Sequence, residues 1–520
     1  MDGVYLEGSC GLFRTFGRSI YDKISRISGG GLKAKIVQGA IALGVGKVAG
    51  GGLKFVRYML LARLLAPGEF GQMAIVSLVA MAFQSFTEVG VRQSVIQNKR
   101  GAEFEYLNAS FWIQAVRGLG LFAAGMVLAP FISNFYGMPG LLRLLQVSFL
   151  SIVFWGFISP RAHLLEKEYK FGWAVILKQG SSMLGTIITV ILAFFIGNVW
   201  ALVLGFTAEA ALMCLLSYLL VPFVPSFRID RGCLGELMRF ARGMFGLPIL
   251  AMIGFHTDVI VLGKMVTKED LGMYSLAATL AYMPVEWFTH IVYPVLLPAF
   301  AQKQDNRESL CRAVLRVTRT TAIFGVSLTA FLVACAGSIL LVTYGPVYVA
   351  VAIPFAVLCL HILPRTQGLV LFSTYLAVGR PGLHRRFVLL RSLIMVGLIY
   401  PAVFYFGLLG AAVVVFVSGF IAFVMQVFWC QRIIELKFGS YVRCYVPGLL
   451  LSLPIMITIG LLLNMGIKSP FAILFGGITV LFATFLAGVY ILYRQDGLFA
   501  MKKGAEGRRS YVPLVGLKSA

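Results

Sequence analysis

The stretch from residue 254 to residue 272 is G-F-H-T-D-V-I-V-L-G-K-M-V-T-K-E-D-L-G, and residues 53 to 71 repeat its pattern of residue types. In both copies an apolar run ends in a basic residue, and a short turn with an acid and a glycine leads into the next apolar run. Later pairs keep nearly the same offset, as slow drift in loop length predicts. The matched positions are Arg63 with Lys264, Glu69 with Asp270, Gly71 with Gly272, Tyr136-Gly137 with Tyr344-Gly345, and Gly197 with Gly407. We therefore interpret the chain as an internal duplication of about 200 residues.

The composition is that of a membrane protein. Hydrophobic residues make up 59% of the 520-residue chain and charged residues 13%, with a mean hydropathy of +0.88. Soluble globular chains carry about 25% charged residues, so that class is excluded. The eight cysteines are scattered without the spacing of a disulfide framework or a metal site. Basic residues stand between apolar runs, which argues against nucleic acid as a partner.

The apolar runs predict an all-α polytopic fold with about fourteen membrane-spanning helices, because a helix needs about 20 apolar residues to cross the hydrocarbon core. The predicted spans are residues 38–62, 71–91, 107–132, 141–164, 173–196, 199–223, 240–263, 271–299, 318–343, 349–378, 387–406, 408–431, 445–466 and 469–493. Six spans separate the two copies of the repeat, so the copies share one orientation. Two six-helix lobes related by a pseudo-twofold axis along the membrane normal are therefore expected, plus two extra C-terminal helices.

The basic residues predict the orientation of the chain and its domain organisation. Nearly all of those outside the spans fall in the tails and in alternate connections, which places both termini in the cytoplasm, beside a bacterial inner membrane. The connection before the eleventh span is predicted to contain Arg380, Arg385, Arg386 and Arg391. The predicted units are a basic cytoplasmic tail at 1–36, an N-terminal lobe at 37–225, a cytoplasmic linker at 226–239, a C-terminal lobe at 240–432, an additional helix pair at 433–494 and a cytoplasmic tail at 495–520.

Several ionisable side chains fall inside the predicted spans. Each charge costs about 2.5–3.5 kcal/mol at the centre of a helix on insertion scales, so most must face water or each other. The candidate substrate-binding residues are Lys47, Lys54, Arg57, Arg117, His361 and Arg365, and the candidate ion-coupling or gating residues are Asp258, Glu286 and His290. A net-basic cavity suits an anionic substrate, because the fork of an arginine matches phosphate oxygens. Packing roles stay open for both histidines, as does a capping or turn-stabilising role for Asp258, whereas Glu88 and Lys178 are interpreted as snorkelling or loop-paired.

Six segments carry a family resemblance. They are L-A-R-L-L-A-P-G-E-F-G (61–71), F-T-E-V-G-V-R-Q-S-V-I-Q (86–97), N-A-S-F-W-I (108–113), D-V-I-V-L-G-K (258–264), D-L-G-M-Y-S-L-A (270–277) and A-V-G-R-P-G (377–382). In this order they resemble the polysaccharide biosynthesis flippases of the Wzx and WzxC type, of the multidrug/oligosaccharidyl-lipid/polysaccharide exporter superfamily. The resemblance covers roughly residues 37–495. The residues on the family's recurrent positions, which mark turns and packing, are Arg63, Glu69, Gly71, Asp258, Gly263 and Lys264.

The resemblance implies alternating access between two lobes and translocation of undecaprenyl-diphosphate-linked oligosaccharide, for O-antigen, capsule or exopolysaccharide biosynthesis. We expect no cofactor, H⁺ or Na⁺ as the candidate coupling ion, and a polysaccharide polymerase and a chain-length regulator as candidate partners. A multidrug exporter of the same superfamily stays open, although its cavity should be lined by acids. A membrane glycan polymerase or ligase also stays open, although the outer connections are short and the sequence has no G-x-S-x-G or H-E-x-x-H motif. We therefore predict a transporter without catalytic or metal-binding residues.

Overall fold

The computed structural model describes residues 46, 50–86, 90–168, 170–228, 230–244, 247–467 and 469–496. These residues form a bundle of helices. The predicted tail at 1–36 lies outside the described residues, as do Lys47, Glu88 and residues 497–520 of the second tail.

The helices follow one another with short connections. In chain order they are α1 (described over 50–64), α2 (Pro67–Phe86), α3 (Val91–Gln97), α4 (Phe104–Tyr136), α5 (Leu141–Ser148), α6 (Leu150–Gly156), α7 (Leu164–Lys167), α8 (Phe171–Val175), α9 (Ser181–Ile196), α10 (Val199–Leu220), α11 (Arg231–Met244), α12 (Leu247–Met265), α13 (Lys268–Ile291), α14 (Tyr293–Ala301), α15 (Arg307–Ala334), α16 (Ala336–Thr343), α17 (Ala352–Leu360), α18 (Ile362–Ala377), α19 (Gly382–Ile434), α20 (Phe438–Arg443), α21 (Val446–Asn464) and α22 (Pro470–Asp496). A π-helical turn, Ile176–Gly180, joins α8 to α9.

The described helices are those of a membrane-spanning protein. Eight helical segments among the described residues are long and apolar enough to cross a membrane. The number becomes nine if Leu141–Gly156 and Pro160–Lys167, which meet at an angle of 71°, count as one broken span. The all-helical membrane fold is thus confirmed, whereas the count of fourteen spans stays a prediction.

Helix α19 consists of two antiparallel helices. Gly407 has a φ of 56° and a ψ of −133°, which interrupts the helical backbone. The hydroxyl of Ser418 donates to the sulfur of Met395 at 3.8 Å, although 23 helical residues would span about 35 Å. The chain therefore reverses at Gly407, between the predicted eleventh and twelfth spans.

Hydrogen bonds between connections define two ends of the bundle. At one end, Arg63 donates to the carbonyl of Val342 at 2.5 Å, and Lys264 donates to the carbonyl of Phe135. We call this end, which carries residues 63–68, 135–141, 197–199, 264–269 and 342–348, the latch end. At the opposite end, Lys167 donates to the carbonyl of Asn98 at 2.6 Å. The chain alternates between the two ends in the order that the predicted spans require.

The two copies of the repeat meet at the latch end through their matched glycines. A Cβ atom added to Gly71 would lie 1.9 Å from the carbonyl oxygen of Lys268, and one added to Gly272 would lie 1.7 Å from that of Pro67. Because Pro67 and Lys268 are themselves matched positions, each copy makes the same contact with the other. Such reciprocal contacts are the property of a twofold interface, and here they relate α2 to α13 within one chain.

The backbone confirms the duplication at the later pairs as well. Gly137 and Gly345 have φ values of 66° and 112°, and Gly197 and Gly407 have φ values of 65° and 56°. All four occupy the region of positive φ that side chains other than glycine rarely adopt. The matched glycines therefore end helices in both halves.

The segment between the lobes is a docked helix. The carboxylate of Asp230 accepts a hydrogen bond at 2.7 Å from the backbone N–H of Cys233, in the first turn of α11, and this bond lowers the pKa of the Asp230 carboxyl below its usual range. Cys233 and Leu237 are buried against the N-terminal lobe, and Asn98 donates to Glu236 at 3.0 Å. The predicted linker at 226–239 therefore packs against the N-terminal lobe through a helix.

The additional helix pair packs on the C-terminal lobe. A Cβ atom on Gly448 of α21 would lie 2.8 Å from the carbonyl oxygen of Ala322, and one on Gly477 of α22 would lie 2.8 Å from the ring of Phe331. Both partners belong to α15. Small residues permit such close helix contacts, which stabilise membrane proteins through van der Waals packing.

Candidate functional site

A cavity of about 350 Å³ lies among the helices of the N-terminal lobe. Lys54 and Arg57, one helical turn apart on α1, both line it, as their predicted common face requires. The guanidinium of Arg57 lies 3.4 Å from the carboxylate of Glu209 on α10, and it also donates to the hydroxyl of Tyr58 at 3.4 Å. Two cations against this single acid leave the cavity wall with a positive charge.

A second cavity of about 260 Å³ lies beside the first and is lined by Arg117. Arg117 donates to the carbonyl of Gln84 at 3.2 Å. Trp155 lines both cavities, so the two cavities adjoin at this side chain. Three of the predicted substrate-binding cations are thus neighbours within one lobe.

The other two candidates, His361 and Arg365, line a smaller cavity of about 40 Å³ within the C-terminal lobe. The guanidinium carbon of Arg365 lies 4.0 Å from the centre of the Phe255 ring. The structure therefore places these residues in the other lobe from Arg57 and Arg117. The six predicted residues do not form a single site, and Lys47 lies outside the described residues.

The structure corrects the sequence interpretation of Arg391, which assigned this residue to a cytoplasmic connection. It lies inside α19 with only 6% of its surface exposed, and its guanidinium carbon is 4.2 Å from the centre of the same Phe255 ring. One signal was available, because Arg391 falls four residues inside the predicted span at 387–406. Two other lining residues, Trp155 and Phe255, carried no signal, because aromatic residues are common throughout the chain.

His361 is tightly packed. It is 2% exposed, and its ring fills the space that Gly419 leaves, since a Cβ atom there would lie 2.1 Å from the ring. Tyr282 lies edge-on to the same ring at 6.3 Å between centres. These contacts support the packing role, while substrate binding by His361 stays a prediction.

Asp258 is buried in the middle of α12, with 3% of its surface exposed. The hydroxyl of Tyr274 donates to one carboxylate oxygen at 2.9 Å, and the other oxygen is buried without a hydrogen-bond partner. A capping role is wrong, because α12 starts eleven residues earlier, at Leu247. The repeat matches Asp258 with Arg57, and each of the two interacts with a residue of its own lobe.

Glu286 and His290 lie on α13, on the exposed part of its surface. Tyr274, the hydrogen-bond partner of Asp258, lies on the same helix, twelve residues or about 18 Å before Glu286. The structure therefore does not bring Glu286 or His290 together with Asp258.

Lys178 has the loop partner that the sequence predicted. Its amino group lies 2.8 Å from the carboxylate of Glu166, which also accepts a hydrogen bond from Arg92. The shared acid connects α3, α7 and the π-helical turn at the end opposite the latch end. Lys178 therefore has a local structural role.

A large apolar cavity of about 630 Å³ lies between α13, α15, α18 and α22. Phenylalanine side chains from several of these helices line it, and its only cationic lining residues are Lys303 and Arg316. These two residues lie at the end of the bundle opposite the latch end, because the α14–α15 connection is there. The cavity thus combines a large apolar surface with two cationic side chains.

Two repeat-related helical lobes in a membrane, each with a buried cationic cavity, define the architecture of a membrane transporter. The chain belongs to the polysaccharide biosynthesis protein family, whose model matches residues 60–353. The family predicted from the six sequence segments is thereby confirmed.

Relatives and solved structures agree with this assignment. The succinoglycan biosynthesis transport protein ExoT of Rhizobium meliloti (strain 1021) is 28% identical over 298 residues, which are 56% of this chain and 59% of ExoT. The lipopolysaccharide biosynthesis protein WzxC of Escherichia coli (strain K12) is 22% identical over 384 residues, which are 74% of this chain and 77% of WzxC. The lipid II flippase MurJ in its inward closed conformation has a TM-score of 0.74 at 15% identity, covering 88% of this chain and 99% of that one. The match to MurJ shows a shared two-lobe fold.

Proposed function

We propose that the chain is a flippase that moves lipid-linked oligosaccharide repeat units across the bacterial inner membrane for surface polysaccharide biosynthesis. Both termini then lie in the cytoplasm, and the latch end faces outward. The observation that carries the proposal is the pair of adjoining cavities lined by Lys54, Arg57 and Arg117 in the N-terminal lobe. The similarity to ExoT, a succinoglycan biosynthesis transport protein, and to WzxC, a lipopolysaccharide biosynthesis protein, supports it.

The proposed substrate has three chemically different parts, and the cavities suit two of them directly. A diphosphate needs cationic donors, which Arg57 and Arg117 supply with the fork that matches phosphate oxygens. A polyprenyl tail needs a long apolar surface, which the 630 Å³ cavity offers.

Alternating access is the transport mechanism that we propose. The lobes touch at the latch end through Gly71 and Gly272, and Arg63 and Lys264 each donate a hydrogen bond to the opposite lobe. Separation of these contacts would open the latch end, and closure at the other end would complete the cycle.

The alternatives receive less support from the charges of the cavities. An exporter of cationic drugs needs an anionic wall, whereas Lys54 and Arg57 outnumber Glu209 in the 350 Å³ cavity. An enzyme would need a nucleophile or an acid–base pair, whereas Glu209, the single acid among the described residues that line this cavity, is in an ion pair with Arg57. A polysaccharide polymerase and a chain-length regulator remain proposed partners. Coupling to H⁺ or Na⁺ is proposed at Asp258, whose second carboxylate oxygen is unpartnered.

Substitutions at Arg57 test the proposal. In cells that depend on this chain, Arg57→Ala should abolish surface polysaccharide and accumulate lipid-linked repeat units on the cytoplasmic side, and Arg57→Lys should restore part of the polymer. Glu209→Gln removes only the ion-pair partner, so it should preserve transport. An equal loss from Arg57→Ala and Glu209→Gln would mean that Arg57 serves the ion pair, and normal polymer from an Arg57→Ala, Arg117→Ala double variant would refute phosphate binding.

A further inference from the structure

Two guanidinium groups in the C-terminal lobe share one aromatic ring. The guanidinium carbons of Arg365 and Arg391 lie 4.0 Å and 4.2 Å from the centre of the Phe255 ring. Because both distances end at the same point, the two carbons are no more than about 8 Å apart. Like charges this close repel each other, and Arg391 is almost completely buried, so a small anion between the two groups would stabilise both.

The described residues supply too little negative charge. Among the described residues, no carboxylate lies within ion-pair distance of either guanidinium. Asp258 attracts Arg391 from farther away, and it already accepts a hydrogen bond from Tyr274. One acid against two cations leaves one positive charge uncompensated. The cation–π contacts with Phe255 offset only part of the lost hydration.

A cavity of about 40 Å³ lies between these groups. It has room for one particle of the size of a water molecule, which takes up about 30 Å³ in the liquid. Arg391, His361 and Gln426 all line it, and each is at least nine-tenths buried. Each also has a polar side-chain atom without a hydrogen-bond partner: Nε of Arg391, Nδ1 of His361 and Oε1 of Gln426. The amide of Gln426 can present its N–H group to the cavity instead, because the two orientations of an amide have the same shape.

We propose that this cavity binds one small inorganic anion of the size of chloride between Arg365 and Arg391. A monovalent anion neutralises the one uncompensated charge, and the N–H groups around the cavity are its donors. A space of about 40 Å³ suits a single small ion better than a diphosphate. The site is therefore distinct from the cavities of the N-terminal lobe, and Arg365 holds an ion here and does not bind the transported lipid.

Thermal unfolding of the purified full-length protein in detergent tests the site. A ligand that binds only the folded state raises the unfolding midpoint as its concentration rises. Sodium chloride and sodium bromide should therefore raise the midpoint by several degrees relative to sodium gluconate at equal ionic strength. The rise should disappear in Arg391→Gln and in Arg365→Gln. The matched control is Arg432→Gln, which removes an exposed arginine stacked on Phe428 at 4.6 Å and should keep the rise.

Crystals grown with bromide give a second, direct measurement. An anomalous scattering peak between the guanidiniums of Arg365 and Arg391 is expected, and it does not depend on whether the buried Arg391→Gln variant folds. Equal midpoints in chloride and gluconate, with no bromide peak, would mean that only water fills the cavity. A chloride effect that persists in both variants would place the anion elsewhere. A larger rise with inorganic pyrophosphate that both variants abolish would assign the arginines to the diphosphate of the substrate. Each of these three results would overturn the proposal.

Discussion

An alanine at Gly71 should open the latch end. The added Cβ atom would lie 1.9 Å from the carbonyl oxygen of Lys268, whereas ordinary contacts begin at 3.4 Å, so α2 and α13 must separate by about 1.5 Å. Overpacking of this kind costs about 1–3 kcal/mol. We expect the cost to fall on the closed arrangement, because separation of the lobes at the latch end removes the contact. The ratio of open to closed molecules should therefore rise about 5- to 150-fold.

Distances between spin labels measure this shift. Phe195 and Val347 are exposed at the latch end of the N-terminal and C-terminal lobes, and a label at each reports the separation of the lobes. In nanodiscs, Gly71→Ala should move the distance distribution towards longer values. The matched control is Gly120→Ala on α4, because a Cβ atom there meets no other atom within 4 Å.

The reciprocal variant makes the test sharper. Gly272→Ala creates the equivalent clash with Pro67, at 1.7 Å, so it should shift the distances in the same direction and by a similar amount. If both variants give the distance distribution of Gly120→Ala, then this crossing of α2 and α13 does not hold the latch end closed. An effect from one variant alone would contradict the twofold relation between the lobes.

Three further predictions concern other parts of the chain. Asp258→Asn should retain the hydrogen bond from Tyr274 but lose the response of vesicle transport to an imposed proton or sodium gradient; an unchanged response would leave Asp258 a structural residue. Gly419→Ala should lower the free energy of unfolding by about 1–3 kcal/mol, because the added Cβ atom would lie 2.1 Å from the His361 ring, whereas Gly397→Ala, which meets open space, should not; equal denaturation midpoints would show that the ring can move aside. Reporter fusions after Asn198 and Lys264 should indicate the external side and fusions after Lys99 and Arg307 the cytoplasm; reversed signals at two of these sites would invert the proposed orientation.

The repeat was the most informative feature of the sequence for the fold. The repeat consists of turn motifs in which a basic residue, an acid and a glycine recur at fixed spacing. Such motifs are local in the sequence, so they can be recognised without knowing the tertiary contacts. The reciprocal contacts of Gly71 and Gly272 confirm that the copies are related by a twofold axis. The break after Gly156 was not predicted, although Pro160, which starts the segment beyond the break, was a signal for it, because proline has no backbone N–H and disfavours a helical conformation in the residue before it.

The sequence predicted only part of the candidate site. The spacing of Lys54 and Arg57 correctly placed both on one cavity wall, since a helix fixes the angle between them. Arg391 was missed because a charge near a predicted boundary belongs equally well to a loop, and only the contact with Phe255 decides the matter. The predicted lobes already placed Arg117 and Arg365 in different halves, but no helical periodicity reveals that they line separate cavities, because that depends on tertiary packing.

The duplicated halves differ most in the charges of their interiors. Arg57 and Asp258 occupy matched positions with opposite charges, and each has acquired its own environment, with Glu209 beside Arg57 and Tyr274 beside Asp258. The contacts at the latch end, by contrast, are nearly the same in both halves, because Arg63 and Lys264 both donate to backbone carbonyls and the two glycines make equivalent contacts. Closure of the two lobes requires backbone surfaces that fit each other, which matched contacts in both halves provide. Binding of a charged ligand requires a net charge at the site, which matched positions with different charges can provide. Substitutions at the symmetric positions should therefore change the populations of the two states, while substitutions at the asymmetric charges should change the affinity for ions and substrate.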